Sequence, residues 1–329
     1  MIEQKKESTE IDSWVTYRPE IKILDCTVRD GGLINDHKFD DKFVKAVYDT
    51  CVLAGVNYME LGYKASKKIF APNQFGKWKY CDEDDIRSIV GENKTSLKLC
   101  VMADAERTDY HEDILPKEKS VFDCIRIATY IHQIPTAIDM VKDAHDKGYE
   151  TVMQLMAISV VQDRELNDAL EVIAKTPVSA IYLVDSFGAL YSEQVRDLIK
   201  KMLHYTEGTG KEVGMHAHNN QQLAYANTIE ALIVGATRLD VTINGLGRGA
   251  GNCPMELLLG FLKNPRFNLR PVLECAQNIF VPLSEKIDWG YSIPYMITGQ
   301  LNQHPREAIK LRSSDKKNNY VEFYDQMIE

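Results

Sequence analysis

The feature that most limits what this chain can fold into is its rhythm. Eight short runs rich in branched and aliphatic residues recur along it: IKILDCTV, VNYMEL, LKLCVMA, CIRIATY, TVMQLMA, AIYLVDS, EVGMHAH and RLDVTIN. They start roughly 26 to 40 residues apart, the spacing of strand-plus-crossover units rather than of hairpins. Between most of them lie amphipathic stretches such as PTAIDMVKDAHDKG, RELNDALEVIAKT and SEQVRDLIKKMLH. The first of these helical segments opens at Asp40 and Asp41, repeats Phe43, Val44, Val47, Tyr48, Cys51 and Val52 at helical spacing, and stops at Gly55. Such alternation predicts parallel strands covered by helices. Eight units fit a closed (β/α)8 TIM barrel better than an open sheet, because polar residues cluster where the runs end, and barrel chemistry sits at strand C-termini. Closure would also set strands 1, 2, 7 and 8 side by side, whereas an open sheet would keep strands 1 and 7 apart.

After Pro265 the rhythm stops. VLECAQNIFVPLSEKI, IPYMITGQL and REAIKL read as helices of a C-terminal, mostly helical extension. The expected organisation is an N-terminal arm over 1–20, a barrel over 21–264, and the extension with its tail over 265–329. The tail SSDKKNNYVEFYDQMIE is polar enough to be partly disordered, although VEFY could pack on the body. A length of 329 residues with 44% hydrophobic content suits one barrel of roughly 250 residues plus extensions. A net charge of −9 and a pI near 5.5 argue against nucleic acid or an anionic membrane as partner. No run approaches the roughly 20 apolar residues of a membrane span. The N-terminus lacks the apolar centre of a signal peptide. Seven scattered cysteines with no CxxC are the pattern of reduced thiols, so a cytoplasmic protein is expected.

Within this frame the stretch from Gly214 to Asn252 draws attention. His216 and His218 lie two apart in a strand-like run, so both imidazoles project from one side. They could be ordinary core histidines, but two buried rings need partners, and a metal is the usual one. Asp30, after strand 1, is a candidate third ligand; the alternative is a turn residue, since Asp-Gly-Gly is a turn signal. Asn252 could be a weaker amide-oxygen ligand or the cap of the helix that follows. Two imidazoles, a carboxylate and an amide suit Mn²⁺ or Mg²⁺ rather than a closed structural zinc site.

Arg29 is a candidate for stabilising a developing oxyanion, or a surface ion pair. Glu60 is either a partner of metal-bound water or the ion-pair mate of Arg29. Gly31, Asp185, Asn244 and Arg248 are candidate substrate contacts at strand ends and in the glycine loop. That loop, GLGRGAGN, follows the last strand and lacks the setting of a dinucleotide fingerprint. Lys64, Lys67, Lys68, Lys77 and Lys79 after strand 2 form either a solvated lid or a gate for an anionic substrate.

Taken together and in order, IKILDCTVRDGG, VNYMEL, YLVDSFG, GMHAHNN and NGLGRGAGN resemble the DRE-TIM metallolyases, a superfamily that includes 3-hydroxy-3-methylglutaryl-CoA lyase, isopropylmalate and homocitrate synthases and 4-hydroxy-2-oxovalerate aldolase. The resemblance covers about residues 21 to 262 and looks most like the aldolase branch from Met215 to Leu258. It implies Asp30, His216 and His218 as metal ligands, with Asn252 near or on the metal and Arg29 steadying an enolate. Glu60 matches the family's glutamate on strand 2. The implied chemistry makes or breaks a carbon–carbon bond beside the carbonyl of a 2-oxo acid, without a Schiff-base lysine.

Two departures matter. The aldolase branch carries a histidine base three residues after its metal aspartate, where this chain has Leu33, so the base is open among His37, Tyr63, Tyr130 and Tyr291. Cys253 follows Asn252, whereas the CoA-lyase branch places a cysteine before that asparagine. The expected function is therefore a metal-dependent lyase of the aldolase kind, acting on small anionic 2-oxo acids and aldehydes. A Claisen-type acyltransferase joining an acyl-CoA to a 2-oxo acid is the alternative. A metal hydrolase fits less well, because its HxH pair usually lies on the first strand. A homo-oligomer, simplest as a dimer, is expected, and the extension could close the barrel, form that contact or dock a dehydrogenase.

Overall fold

The computed structural model describes residues 18–329, so the expected N-terminal arm lies almost wholly outside the described residues. Eight parallel strands close on themselves in sequence order: β1 (Lys22–Asp25), β2 (Tyr58–Tyr63), β3 (Lys98–Asp104), β4 (Cys124–Thr129), β5 (Glu150–Leu155), β6 (Ala180–Asp185), β7 (Glu212–Ala217) and β8 (Arg238–Val241). The closing pair, β1 with β8, runs in register from Lys22 opposite Arg238 to Asp25 opposite Val241. Each expected run supplies one strand. Helices such as Asp41–Ala54, Ile134–Asp146 and Ser192–Thr206 cover the outside through Val44, Val47, Val141, Ile199 and Met202, which join the main core. Asp40 caps the first of these by accepting from the Phe43 amide, and Gly55 ends it with φ of 73°.

The barrel interior is layered. Near its base Arg238 reaches Glu150 at 2.7 Å and Glu212 at 2.6 Å, tying β8 to β5 and β7. Above lies an apolar plug that includes Leu24, Cys100, Cys124, Val152 and Tyr182. Gly214 is required here, because a Cβ at that position would press into the Tyr182 ring at 2.6 Å. Over the plug come the polar side chains of the site.

Strand 1 is shorter than its sequence run suggests. It stops at Asp25, and Thr27–Gly31 winds into a helical turn. The Asp25 carboxylate accepts from the Thr27 amide and hydroxyl, while Thr27 Oγ1 accepts from the Ile243 amide at 2.8 Å. This turn, rather than strand parity, aims Arg29 and Asp30 at the barrel axis.

The C-terminal helices divide into two groups. Leu269–Cys275 and the turns after it lie on Asp41–Ala54, with Phe280 packed on Phe43 at 5.6 Å between ring centroids. The helices Ile293–Gln300, Arg306–Arg312 and Tyr320–Ile328 form a small core of Tyr295, Ile297, Ala308 and Phe323 that also holds Ala250 of the glycine loop. The tail is thus ordered where its composition suggested partial disorder. Phe323, inside VEFY, is buried and contributes roughly 2 kcal/mol of apolar burial, enough to fix a nine-residue helix that is weak alone. Among the described residues no helix is long and apolar enough to cross a membrane.

Candidate metal centre and active site

Three elements meet at the C-terminal mouth: the Thr27–Gly31 turn, the end of β7, and the glycine loop after β8. Asp30, His216 and His218 are buried together, with one ligand atom of each within 4.8 Å of the others. Asp30 Oδ2 lies 3.2 Å from His216 Nε2 and 3.8 Å from His218 Nε2. The two rings stand edge to face, 5.2 Å apart, on the same side as their spacing predicts, although His218 lies one residue beyond the strand. Asn252 Nδ2 is 3.2 Å from both Asp30 Oδ2 and His216 Nε2. It does not cap Met255–Leu262, whose N-cap is Pro254. Its Oδ1 and His218 Nδ1 are buried without hydrogen-bond partners among the described residues. Gly247 permits this placement, since a Cβ there would overlap Asn252 Oδ1.

The donor set fits a divalent cation. The Asp240 carboxylate sits 2.9 Å from His216 Nδ1, which fixes the tautomer and leaves Nε2 to face Asp30. Burial disfavours the Asp30 carboxylate, yet Arg29, His218 and His216 outweigh it and hold its pKa well below the usual range. Burial also depresses His216, but its bonds to Asp240 and Asp30 raise it overall. At His218 burial prevails over Asp30, helped by Arg248, and keeps the ring neutral. A second possible grouping, Cys26 with His216 and Asp240, is a poorer match. Burial pushes the Cys26 thiol well up, it donates to the Val241 carbonyl, and His216 Nδ1 is already committed to Asp240.

Under the triad runs a buried charge network. Arg29 Nε contacts Glu60 at 2.7 Å and Arg29 Nη1 contacts Asp30 at 2.9 Å. Arg126 bridges Glu60 at 2.8 Å and Asp240 at 2.5 Å. Glu60 is therefore the ion-pair mate of Arg29, shared with Arg126. Two arginines face three carboxylates, Asp30, Glu60 and Asp240, so the network carries one uncompensated negative charge when both histidines are neutral. A dication would reverse that sign, leaving a net positive site for an anionic substrate. Arg29 Nη2 is buried without a hydrogen-bond partner among the described residues, and Arg29 lines the cavity above the triad.

That cavity is also lined by Leu33, Tyr63, Tyr130, Ser186, Arg248 and His304. Arg248 donates its amide to Asp30 Oδ1 at 3.1 Å, its Nη2 to the Ser186 carbonyl at 2.6 Å, and its Nη1 lies 3.3 Å from His304 Nε2. His304 Nδ1 accepts from the Arg306 amide, which places the proton of the neutral ring on Nε2. Two donors then face the same space, an arrangement an oxyanion would satisfy.

Several expected site residues lie elsewhere. Asp185 turns into its own loop, accepting from the Ala189 and Leu190 amides; burial, softened by those bonds, raises its pKa to about 7. Asn244 is exposed, with its amide donating to Glu256 and its carbonyl accepting from Trp289. Gly31 is buried against Leu246, where a Cβ would come within 2.7 Å. Tyr291 is 53% exposed and outside the cavity lining. His37 is buried behind Tyr63, ring to ring at 5.3 Å, with its pKa lowered to about 3 by burial, Lys79 and Arg29. The gate reading of the lysine loop loses its free charges. Lys64, Lys67, Lys68 and Lys77 pair with carboxylates, and Lys79 sits over the rings of Tyr63, Phe70 and Phe75.

Arg126, Asp240 and His304 were missed from the sequence. The first two carry a signal, a charge inside an otherwise apolar strand run. His304 carries none, because it arrives from the extension.

Comparison with known proteins shows the family and the fold. The HMGL-like family model matches residues 20–270. An oxaloacetate decarboxylase of Mycobacterium tuberculosis is 31% identical over 252 residues, covering 75% of this chain and 71% of that protein. A 4-hydroxy-2-oxovalerate aldolase of Bacillus cereus is 29% identical over 250 residues, covering 76% and 71%. The solved N-terminal domain of a candidate aldolase from Bacteroides vulgatus superposes with a TM-score of 0.79 at 31% identity, covering 92% of this chain and all of that one. An HMG-CoA lyase from Bacillus subtilis, 17% identical with a TM-score of 0.65, covers 82% of this chain and 94% of that one and shares the fold.

Proposed function

Because the chain belongs to the HMGL-like family, we propose that it is a divalent-metal-dependent carbon–carbon lyase of the aldolase kind, acting next to the carbonyl of a 2-oxo acid. The observation that carries this reading is the convergence of Asp30, His216 and His218 beside a buried arginine. Asp30, His216 and His218 would hold Mn²⁺ or Mg²⁺, with Asn252 turning its oxygen inward as a fourth ligand. When bound, the ion supplies Lewis-acid polarisation of the 2-oxo carbonyl.

The chain's own groups do the rest. Arg29 Nη2 is free to donate to the oxygen that gains negative charge as the carbon–carbon bond breaks. Glu60 and Asp30 hold that guanidinium in place. Arg248 and the His304 Nε2–H face the substrate carboxylate. The family histidine base is replaced by Leu33, which is 37% exposed and lines the cavity. Proton transfer in an aldol cleavage would then fall to Tyr130 or to a water that it and Tyr63 hold, since burial pushes the Tyr63 phenol up and keeps its proton in place.

That same replacement favours a second reading. Loss of carbon dioxide from a 2-oxo acid with a 3-carboxylate gives the same enolate but requires no base to take a hydroxyl proton. The cavity serves either reaction, and the Claisen alternative is not favoured.

The test is purified protein stripped with chelator, reloaded with Mn²⁺ or Mg²⁺, and offered oxaloacetate and a panel of 4-hydroxy-2-oxo acids with pyruvate release as readout. Activity should vanish with chelator and return with metal, and Asp30→Ala should bind none. Full turnover in excess chelator would dispose of the reading. The expected setting is cytoplasmic and homodimeric, with no nucleic acid or membrane partner, and a dehydrogenase docked on the extension is a further assembly to look for.

A further inference from the structure

Beside the inner cavity, and sharing Leu33 and Arg248 with it, a second cavity of about 470 Å³ opens between the barrel mouth and the C-terminal helices. The extension builds its outer wall with Lys286, Asp288, Tyr295 and Arg312. Its charge contrasts with the rest of the chain. Three cations, Arg248, Lys286 and Arg312, line it against one carboxylate, Asp288, in a protein of net charge −9. Asp288 is taken by Arg312, which also lies over the Tyr295 ring at 5.3 Å. Among the described residues neither Arg248 nor Lys286 has a carboxylate within ion-pair distance. Arg248 Nε is buried without a hydrogen-bond partner among the described residues, while Nη1 of the same guanidinium, with His304, belongs to the inner cavity.

Two positive charges without an ion-pair partner among the described residues, Arg248 and Lys286, with Arg312 beside them, suit the outer cavity to an anion rather than to an apolar group. Because Leu33 and Arg248 belong to both cavities, a ligand in the outer one can be continuous with a ligand in the inner one. We propose that the outer cavity binds an anionic group at the far end of the substrate, so that this lyase acts on a 2-oxo acid whose arm beyond the scissile bond ends in a phosphate or a carboxylate. The substrate part of this proposal rests on the lyase reading; the anion site does not. Leu33 lies where the two cavities meet, and being apolar it offers no charge or hydrogen bond to compete with Arg248 for an anion there.

The experiment has two arms. In the first, inorganic phosphate is titrated calorimetrically into the metal-loaded protein and into Lys286→Glu and Arg312→Gln, with thermal melting to confirm that the variants fold. Phosphate should bind the wild type, and Lys286→Glu should weaken it at least tenfold. Lys286 is exposed and has no ion-pair partner among the described residues, so that substitution leaves the fold intact; Arg312→Gln should weaken binding less, because Arg312 is shared with Asp288. In the second arm, pyruvate release is compared for 4-hydroxy-2-oxo acids with phosphate, carboxylate and neutral tails of matched length. The anionic tails should exceed the neutral one at least tenfold in kcat/KM, with Lys286→Glu cutting that ratio, and the better anion names the substrate class.

Absence of phosphate binding, or binding that neither variant weakens, overturns the site. Equal kcat/KM for all tails overturns the substrate assignment. Phosphate binding lost in Lys286→Glu, with no pyruvate from any acid, keeps the site and removes the lyase reading instead.

Discussion

Asp240 never faces the cavity, yet it decides which nitrogen of His216 does. With its carboxylate on Nδ1, the lone pair of Nε2 points at Asp30. Asp240→Asn keeps the shape and weakens that control, so metal affinity should fall about 10- to 100-fold, read by calorimetric titration of Mn²⁺. An unchanged affinity would mean that ring orientation is set by packing alone. Arg29→Lys tests the oxyanion role: a lysine cannot reach Glu60, Asp30 and the substrate together, so kcat should drop about 10²–10³-fold with KM changing far less. A loss confined to KM would assign Arg29 to binding. These residues differ in how they could be read. His216 and His218 announce themselves, because two-residue spacing on a strand has one geometric meaning. Arg126 and Asp240 are isolated charges in apolar runs, and an isolated charge is equally at home on a strand rim. Only closure of the barrel turns both inward.

The elements were legible where a single period governs them and less so where a side chain overrides it. Every strand run became a strand, but β1 ends early because the Asp25 carboxylate satisfies Thr27 and starts a turn that strand propensity opposes. The base of the barrel shows the same dependence on side chains that only pairing brings together. Arg238 on β8 bridges Glu150 on β5 and Glu212 on β7, and burial of both carboxylates is outweighed by Arg238, with help from Lys98 and Lys22, so both pKa values are lowered. A carboxylate with a lowered folded-state pKa stabilises above its ordinary value of 4.5, and that contribution is lost as pH falls through the folded value. Arg238→Met should therefore cost about 2 kcal/mol at pH 7, less than a fully buried pair because both glutamates are partly exposed. The gap between the two melting temperatures should close as pH drops below 4.5, toward the protonated form of both glutamates. A gap of equal size at pH 7 and at pH 3 would make the loss one of packing.

At the scale of the whole molecule the site has two sources. All three proposed ligands, Asn252 and Arg29 come from the barrel and its loops, whereas His304 comes from a turn between two helices of the extension. The extension was visible in the sequence as a loss of the strand rhythm, but nothing in its residues said that it would lie over the mouth. That placement depends on Tyr295 packing under Gly249 and on the shared core with Ala250, contacts some 45 residues apart in the chain. The division predicts separable functions. His304→Ala should leave Mn²⁺ affinity within about twofold, since no ligand is touched, yet lower kcat/KM about tenfold or more through loss of one donor to the substrate anion. Burial, with Arg248 and Arg306, lowers the His304 pKa to about 4, so the ring is neutral from pH 5 to 9 and His304→Gln, which keeps an N–H donor, should restore part of the loss across that range. If His304→Ala abolished metal binding as well, the extension would be holding the triad together rather than completing it.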